Sequence, residues 1–457
     1  MTRIAVASRL TLAIASAFVA ACAGPAALAP KAAVAAPADP PAVTEGDVTE
    51  AHVGGMVVLV KHIAGAELAS TQLYIRGGAR DWTKDDAGVE MLAMRVAAHG
   101  GAGGLDKEAF GRRLSQLGAT LGGGAERDWS SLGAKSPLAS FDATFALVAD
   151  AFLRPALPTG EIELERQQQL LGIKQMEQEP EGRLDELVTA ALYKGHPYAN
   201  PPEGTVASVE KLTAAQVAAQ LAKLRETSRL VLAVAGDVDA AHVVQLAREA
   251  FGGLPRGAWA PSPVAPPVFA TPALVTEARA LPTNYLQGYF AAPRAGEAGY
   301  AAARVAMSAL HERVFEEVRT KRNLSYAPGA GYTRDGSAAF GYVTVSAVDP
   351  NAAFTVMLAE LRKLQETPLG AVELAGTKAL LRTNYLLGFE TTDGQAGTLA
   401  GDLLQTGDWR YSAKLLAALD AVTPADVQAF AKTYVGRLQV VMLGDPAKLD
   451  PKLATSL

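Results

Sequence analysis

Apolar residues recur every three or four positions through "GVEMLAMRVAAHG", residues 88–100, which predicts an amphipathic helix with Val89, Leu92 and Val96 on its apolar side. The same period runs through "ASFDATFALVADAFLRPALPTGEIELERQQQLLGIK" (139–174) and "NAAFTVMLAELRKLQETPLGAVELAGTKALLRTNYLLG" (351–388). In each, a helix leads through a Pro-containing turn into a long Glu-initiated helix. "VEKLTAAQVAAQLAKL" from 209 and "LDAVTPADVQAFAKTY" from 419 form a second matched pair. Thr213 with Gln216, and Thr423 with Asp426, fit a helix N-cap with a reaching side chain three positions on, and Pro424 suits the first helical position. Each copy then gives an apolar strand ending in Gly-Asp, "LVLAVAGD" at 230 and "LQVVMLGD" at 438. The copies lie about 210 residues apart, so the pattern predicts two related domains.

Between the copies, "LPRGAWAPSPVAPPVFATP" (254–272) is too rich in proline for a helix or a central strand. It is read as the linker, at 256–272, between a first domain at 49–255 and a second at 273–457. The expected fold class is α+β: two homologous domains, each a sheet with helices packed on one face, joined into a clamshell able to enclose a chamber. Length and composition agree, since 457 residues with 49% apolar and 19% charged can bury at least two cores. A formal charge of −5, with no long basic run, argues against nucleic acid as a partner.

The N-terminus reads as a targeting segment, residues 1–22. Arg3 and Arg9 precede an apolar run from Leu10 to Val19, too short to span a bilayer and suited to a signal-peptide core. It ends in Val19-Ala20-Ala21-Cys22, and Cys22 is the sole cysteine of the chain. Small residues directly before a Cys resemble the bacterial lipobox, which implies lipidation at Cys22; cleavage of an ordinary signal peptide at an Ala-rich site is the alternative. Residues 23–48, rich in Ala and Pro, read as an extended tether. Ala23 rather than Asp after the cysteine implies, by the same resemblance, a periplasmic chain anchored to the outer membrane.

"YIRGGARDW", "GVEMLAMR", "RRLSQLGATLGGGAERDWSSL", "ALVADAFLRPALPTGEIELERQ" and "FEEVRTKRNLSY", in this order, resemble the M16 (pitrilysin-like, inverzincin) metallopeptidases and their related processing-peptidase and core subunits. The likeness runs from about residue 50 to the C-terminus. Active members carry His-x-x-Glu-His on a helix: positions i and i+4 share a face, so two imidazoles bind zinc while the Glu activates its water. Here the motif falls on Met91, Leu92, Ala93, Met94 and Arg95. The third ligand, a Glu 77 residues after the second His, falls on Gly172. None of Met91, Met94, Arg95 and Gly172 can perform the role, so no metal is expected in this chain. Of the six histidines, none is seen to have a partner at ligand-like helical spacing. His99, the nearest candidate, is nine residues from Glu90 and out of phase with it, and is expected to end the helix.

In the second domain, "VFEEVRTKRNLSYAPGAGY" resembles the segment in which the family keeps an Arg and a Tyr seven residues apart, here Arg319 and Tyr326. The resemblance implies an Arg on the last helical turn and a Tyr on the following strand, contacting substrate and the developing oxyanion. The bland alternative is a solvated Arg at a helix end, and Lys321 and Arg322 are competing cations. Some bacterial M16 peptidases pair a zinc-bearing chain with one that lacks the metal motif and supplies Arg and Tyr. The implied function is therefore a metal-free, membrane-anchored subunit completing a zinc peptidase with a zinc-bearing partner. Whether the chain counts as an enzyme is left open, since alone it is not expected to cleave peptides. A non-catalytic peptide-binding or assembly scaffold is the alternative, and an autonomous peptidase with an unconventional metal site a third. Gly122, Gly123 and Gly124 would lie on the edge strand that pairs with an extended peptide, or else mark a bulge or tight bend. "HGGAGG" (99–104) reads as a flexible loop, because no Lys-Ser/Thr follows it.

Overall fold

A computed structural model describes residues 39–269, 271–333 and 336–457. The expected signal segment, Cys22 and most of the expected tether lie outside the described residues. In the first domain the order is β1 (Val43–Glu45), β2 (Val48–Val53), β3 (Met56–His62), β4 (Leu68–Arg76), α1 (Val89–His99), α2 (Lys107–Gln116), β5 (Thr120–Ala125), β6 (Trp129–Pro137), α3 (Phe141–Leu153), α4 (Thr159–Gln178), α5 (Pro180–Leu192), α6 (Val206–Val209), α7 (Ala214–Leu224), β7 (Leu230–Gly236) and α8 (Ala240–Phe251). In the second it is β8 (Ala273–Ala278), β9 (Asn284–Ala291), α9 (Tyr300–Val314) running into a π-helical segment (Phe315–Thr320), β10 (Gly329–Tyr332), β11 (Phe340–Ala347), α10 (Pro350–Glu366), α11 (Ala371–Leu387), α12 (Thr392–Thr406), α13 (Tyr411–Ala421), α14 (Pro424–Tyr434) and β12 (Gln439–Gly444).

The sheet starts inside the stretch read as tether. Val43–Glu45 pairs antiparallel with β2 across Gly46, whose φ of 61° suits a tight turn, and Val48 is buried. Residues 43–48 carry Val, Thr and Glu in place of the upstream Ala and Pro, which is enough to pair.

The repeat is visible in the topology. The seven-stranded sheet runs β1-β2-β3-β7-β4-β6-β5 and the five-stranded one β10-β11-β9-β12-β8. In both, one parallel pair (β3 with β7, β8 with β12) is followed by three antiparallel pairings in the same sequence. The repeated helix starts also match: Thr213 with Gln216 and Thr423 with Asp426 both close capping boxes, with Pro424 at the start of α14.

Each sheet packs one face on its own helices. In the first domain Leu73, Leu132 and Leu232 meet Leu92, Val96 and Val148; in the second Leu286, Val343 and Met442 meet Ala303, Leu310 and Phe354. The opposite faces are covered by exchange. Ala396, Leu399 and Ala400 of α12 lie with Val57, Leu59, Val231 and Ala233, and Leu184 and Val188 of α5 lie with Tyr289, Val441 and Leu443. Burial on both faces explains why β7 reads as an unbroken apolar run rather than an alternation. Polar contacts reinforce the exchange: Ser70 Oγ donates to Asp393 (3.1 Å), Trp409 Nε1 to Glu50 (2.9 Å) and Arg183 Nε to Glu277 (3.0 Å). The described residues from Asp39 onward thus form one compact unit. The linker has no described helix or strand, but Val264 and Phe269 are buried and Trp259 stacks under Arg229. Among the described residues no helix is long and apolar enough to cross a membrane.

Candidate functional site

Helix α1 begins after Gly88, whose φ is 88° and where a Cβ would stand 2.7 Å from the Glu203 carbonyl oxygen. Val89, Leu92 and Val96 are buried as the pattern predicts, and so are Glu90, Ala93, Met94, Ala97 and Ala98. What remains at least partly exposed is a stripe four residues apart: Met91, Arg95 and His99. Met91 and Arg95, the positions to which the resemblance assigns two histidines, therefore lie on the open face of the helix.

Glu165 of α4 meets this stripe. His99 Nδ1 lies 2.8 Å from its Oε1, and Arg95 Nε lies 3.8 Å from Oε2. The hydrogen bond from His99 and the charges of His99 and Arg95 hold the Glu165 carboxyl below its ordinary range. His99 thus ends the helix as expected, yet it has a carboxylate partner on another helix, which spacing within one helix does not reveal. The available signal was position 165 itself, two turns before Gly172 on one face of α4. Gly172 faces open space where a Cβ would point. The stripe presents a thioether, a guanidinium, one imidazole and one carboxylate. That set does not fit a zinc ion, and among the described residues no group of three or more His, Cys, Asp or Glu could hold a metal.

Met94, which the resemblance sets where active members would carry a Glu, is fully buried. Glu90 lies on the inner side with 1% exposure, bound by Trp82 Nε1 (2.9 Å), Gln220 Nε2 (2.9 Å) and Ser130 Oγ, a set of partners that helical spacing does not reveal. Burial pushes its carboxyl up, against the pull of these donors. Glu90 and His99 do not meet.

Gly122, Gly123 and Gly124 lie on β5, at the edge of the first sheet and against α1. None of the three has a left-handed φ, and they pair in regular register with Gly133, Leu132 and Ser131, so they form neither a bulge nor a bend. A Cβ on Gly123 would stand 2.5 Å from the Met94 carbonyl oxygen, one on Gly124 would lie 3.8 Å from Met91 Sδ, and Gly122 faces open space. The 99–104 segment is not a loose loop: Gly100, Gly101 and Ala102 are buried, and Ala102 bridges to Pro155.

Arg319 sits on the π-helical segment, whose wider turn is marked by the Lys321 N–H donating to the Glu316 carbonyl. Its guanidinium carbon is 4.2 Å from the centroid of the Tyr326 ring and 4.9 Å from that of Phe315. Tyr326 is not on the following strand. It occupies a bend between Asn323, with φ of 51°, and Pro328, before β10 starts at Gly329, and is 79% exposed. The competing cations are accounted for: Lys321 and Arg322 both pair with Glu317, which together pull its carboxyl down to about 2. Arg319 has no carboxylate within ion-pair distance among the described residues. The segment packs on α9 and α10 of its own domain, so Arg319 and Tyr326 come together with each other and not with the α1 positions.

Comparison with known proteins bears on the family and the fold. Residues 57–206 match the family described as Insulinase (Peptidase family M16), and residues 211–381 match the Peptidase M16 inactive domain. An uncharacterized zinc protease of Mycobacterium leprae is 28% identical over 84% of this chain and 88% of the relative. Another, of Mycobacterium bovis, is 30% identical over 67% of this chain and 71% of the relative. Among solved structures, a peptidase M16 inactive domain from Pseudomonas fluorescens superposes with a TM-score of 0.79 at 20% identity, covering 88% of this chain and 99% of that one. The periplasmic protease PqqL of Escherichia coli gives 0.75 at 14% identity, over 89% of this chain and 46% of that one. With two M16-type domains in sequence and in fold, the chain belongs to peptidase family M16.

Proposed function

We propose that this chain is the metal-free subunit of a two-chain M16 peptidase, supplying Arg319 and Tyr326 to a substrate held against the zinc of a different subunit. The observation that carries the reading is the Arg319–Tyr326 pair itself: a guanidinium with no carboxylate partner among the described residues, stacked on a phenol that is 79% exposed. Two donors offered at one surface suit a peptide carbonyl whose oxygen gains charge during attack, where losing one such donor costs about 2.7–4 kcal/mol of barrier. The α1 and α4 positions support the other half of the reading, since Met91, Met94, Arg95 and Gly172 provide no ligand and no base. On this reading β5, with Gly122 open at its edge, is the strand available for an extended peptide. A lipid anchor at Cys22 would hold the complex at the periplasmic face of the outer membrane.

The test is cleavage of a mixed peptide library by this chain, by a zinc-bearing M16 chain, and by the two together. Activity that needs both, and that Arg319→Ala with Tyr326→Phe removes while the complex still forms, supports the proposal. Full activity of the zinc-bearing chain alone would leave the scaffold role instead.

A further inference from the structure

A cavity of about 450 Å³ opens between α9, α11, α12 and α13, lined also by Trp129 from the start of β6. It lies outside the surfaces used above. Five aromatic and several leucine side chains contribute to its walls. Tyr300 and Tyr411 stand 6.2 Å apart, Tyr385 and Phe389 4.6 Å apart, and all four line it. Two groups of opposite charge also line it. Arg304 of α9 donates to the Tyr300 hydroxyl at 3.1 Å and has no carboxylate partner among the described residues. Asp402 of α12 accepts from the Ser412 N–H (2.7 Å) and hydroxyl (2.9 Å) and has no cationic partner among the described residues.

We infer that this cavity is a binding site for a small zwitterion with a large apolar side chain, of the class of a free-ended dipeptide. The volume falls in the range of about 300–1,000 Å³ typical of small-ligand pockets. The aromatic and leucine side chains bury an apolar body, Arg304 takes a carboxylate through paired N–H donors, and Asp402 keeps lone pairs for an ammonium group. An amine brought beside Asp402 meets an acceptor already oriented by Ser412, and neither charge has to break an existing ion pair. The inference does not rest on the peptidase reading: it concerns equilibrium binding to this chain alone.

The probe is the dipeptide Ala-Phe with free ends, compared with its C-terminal amide and its N-acetyl form, titrated by calorimetry. Free Ala-Phe should bind, and blocking either end should weaken it roughly tenfold or more, as expected for loss of a charged hydrogen bond. Arg304→Met should abolish the discrimination between acid and amide, and Asp402→Asn that between free and acetylated amine. Gly401→Leu, which projects into open space on a helix, should block binding by filling the cavity with the fold intact. Equal affinity for free and blocked peptides, no binding at millimolar concentration, or binding unchanged by Gly401→Leu would each overturn the inference.

Discussion

A Cβ on Gly123 would stand 2.5 Å from the carbonyl oxygen of Met94. The edge strand and helix α1 are therefore in close backbone contact at Met94. Gly123→Ala should push β5 off α1 and lower stability by about 1–3 kcal/mol, the usual cost of overpacking. Gly122→Ala, facing open space, should change it by less than about 0.5 kcal/mol. Thermal unfolding of the two variants separates a packing glycine from a surface one, and equal melting temperatures would refute the distinction.

Glu90 organises the inner side of the same helix. Replacing it by Ala removes the acceptor of Trp82, Gln220 and Ser130 and leaves buried donors unpaired, at about 1–3 kcal/mol for each that finds no water. Glu90→Gln keeps an acceptor oxygen and removes a carboxyl whose ionisation burial disfavours. It should therefore retain much of the stability that Glu90→Ala loses. Urea denaturation at neutral pH checks this, and an amide variant as unstable as the alanine one would contradict it.

Asp402 sets a pH dependence of opposite sign to the usual paired carboxylate. Burial, with Asp408 nearby, pushes its carboxyl from 3.8 up to about 6 despite the donors of Ser412. The folded chain then binds the proton more tightly than the unfolded one, so this contribution is present below about pH 4 and is lost as pH rises through 6. Asp402→Asn should remove that slope and raise stability at pH 7.5 by up to roughly 2–3 kcal/mol. The comparison belongs between pH 5 and 7.5, where Glu317, held down near 2, stays ionised in the fold. A variant that tracks the wild type across this interval rules the mechanism out.

Local periodicity made the architecture legible. Thr213 and Thr423 announce their helices within four residues, the Gly-Asp strand ends repeat, and the proline run at 254–272 lies where no described helix or strand forms. Contacts between elements distant in sequence were not legible. The apolar stripe of α12 says that one face is buried, but nothing in its spacing says that the partner is the sheet of the other domain. The His99–Glu165 contact joins residues 66 positions apart, on different helices. The family resemblance puts Tyr326 on a strand, whereas Pro328 and the positive φ of Asn323 keep it in a bend.

The exchange of helices predicts how the molecule responds to cutting. Pro261, Ser262 and Pro263 are exposed, while Val264 and Phe269 anchor the rest of the linker in the apolar cluster that also holds Leu184 and Val441. A protease site placed at 261–263 should be cleaved in the native protein, and the two fragments should still elute together. The reason is that α12 fills one face of the first sheet and α5 one face of the second, so separation would expose both apolar clusters at once. Replacing Leu399 and Ala400 by Asp before cleavage should release the fragments, because charge is then forced against Val57, Leu59 and Val231. Size-exclusion chromatography of the nicked protein reads this directly. Separation of the unmodified fragments under native conditions would mean that the linker, and not the exchanged helices, holds the domains together.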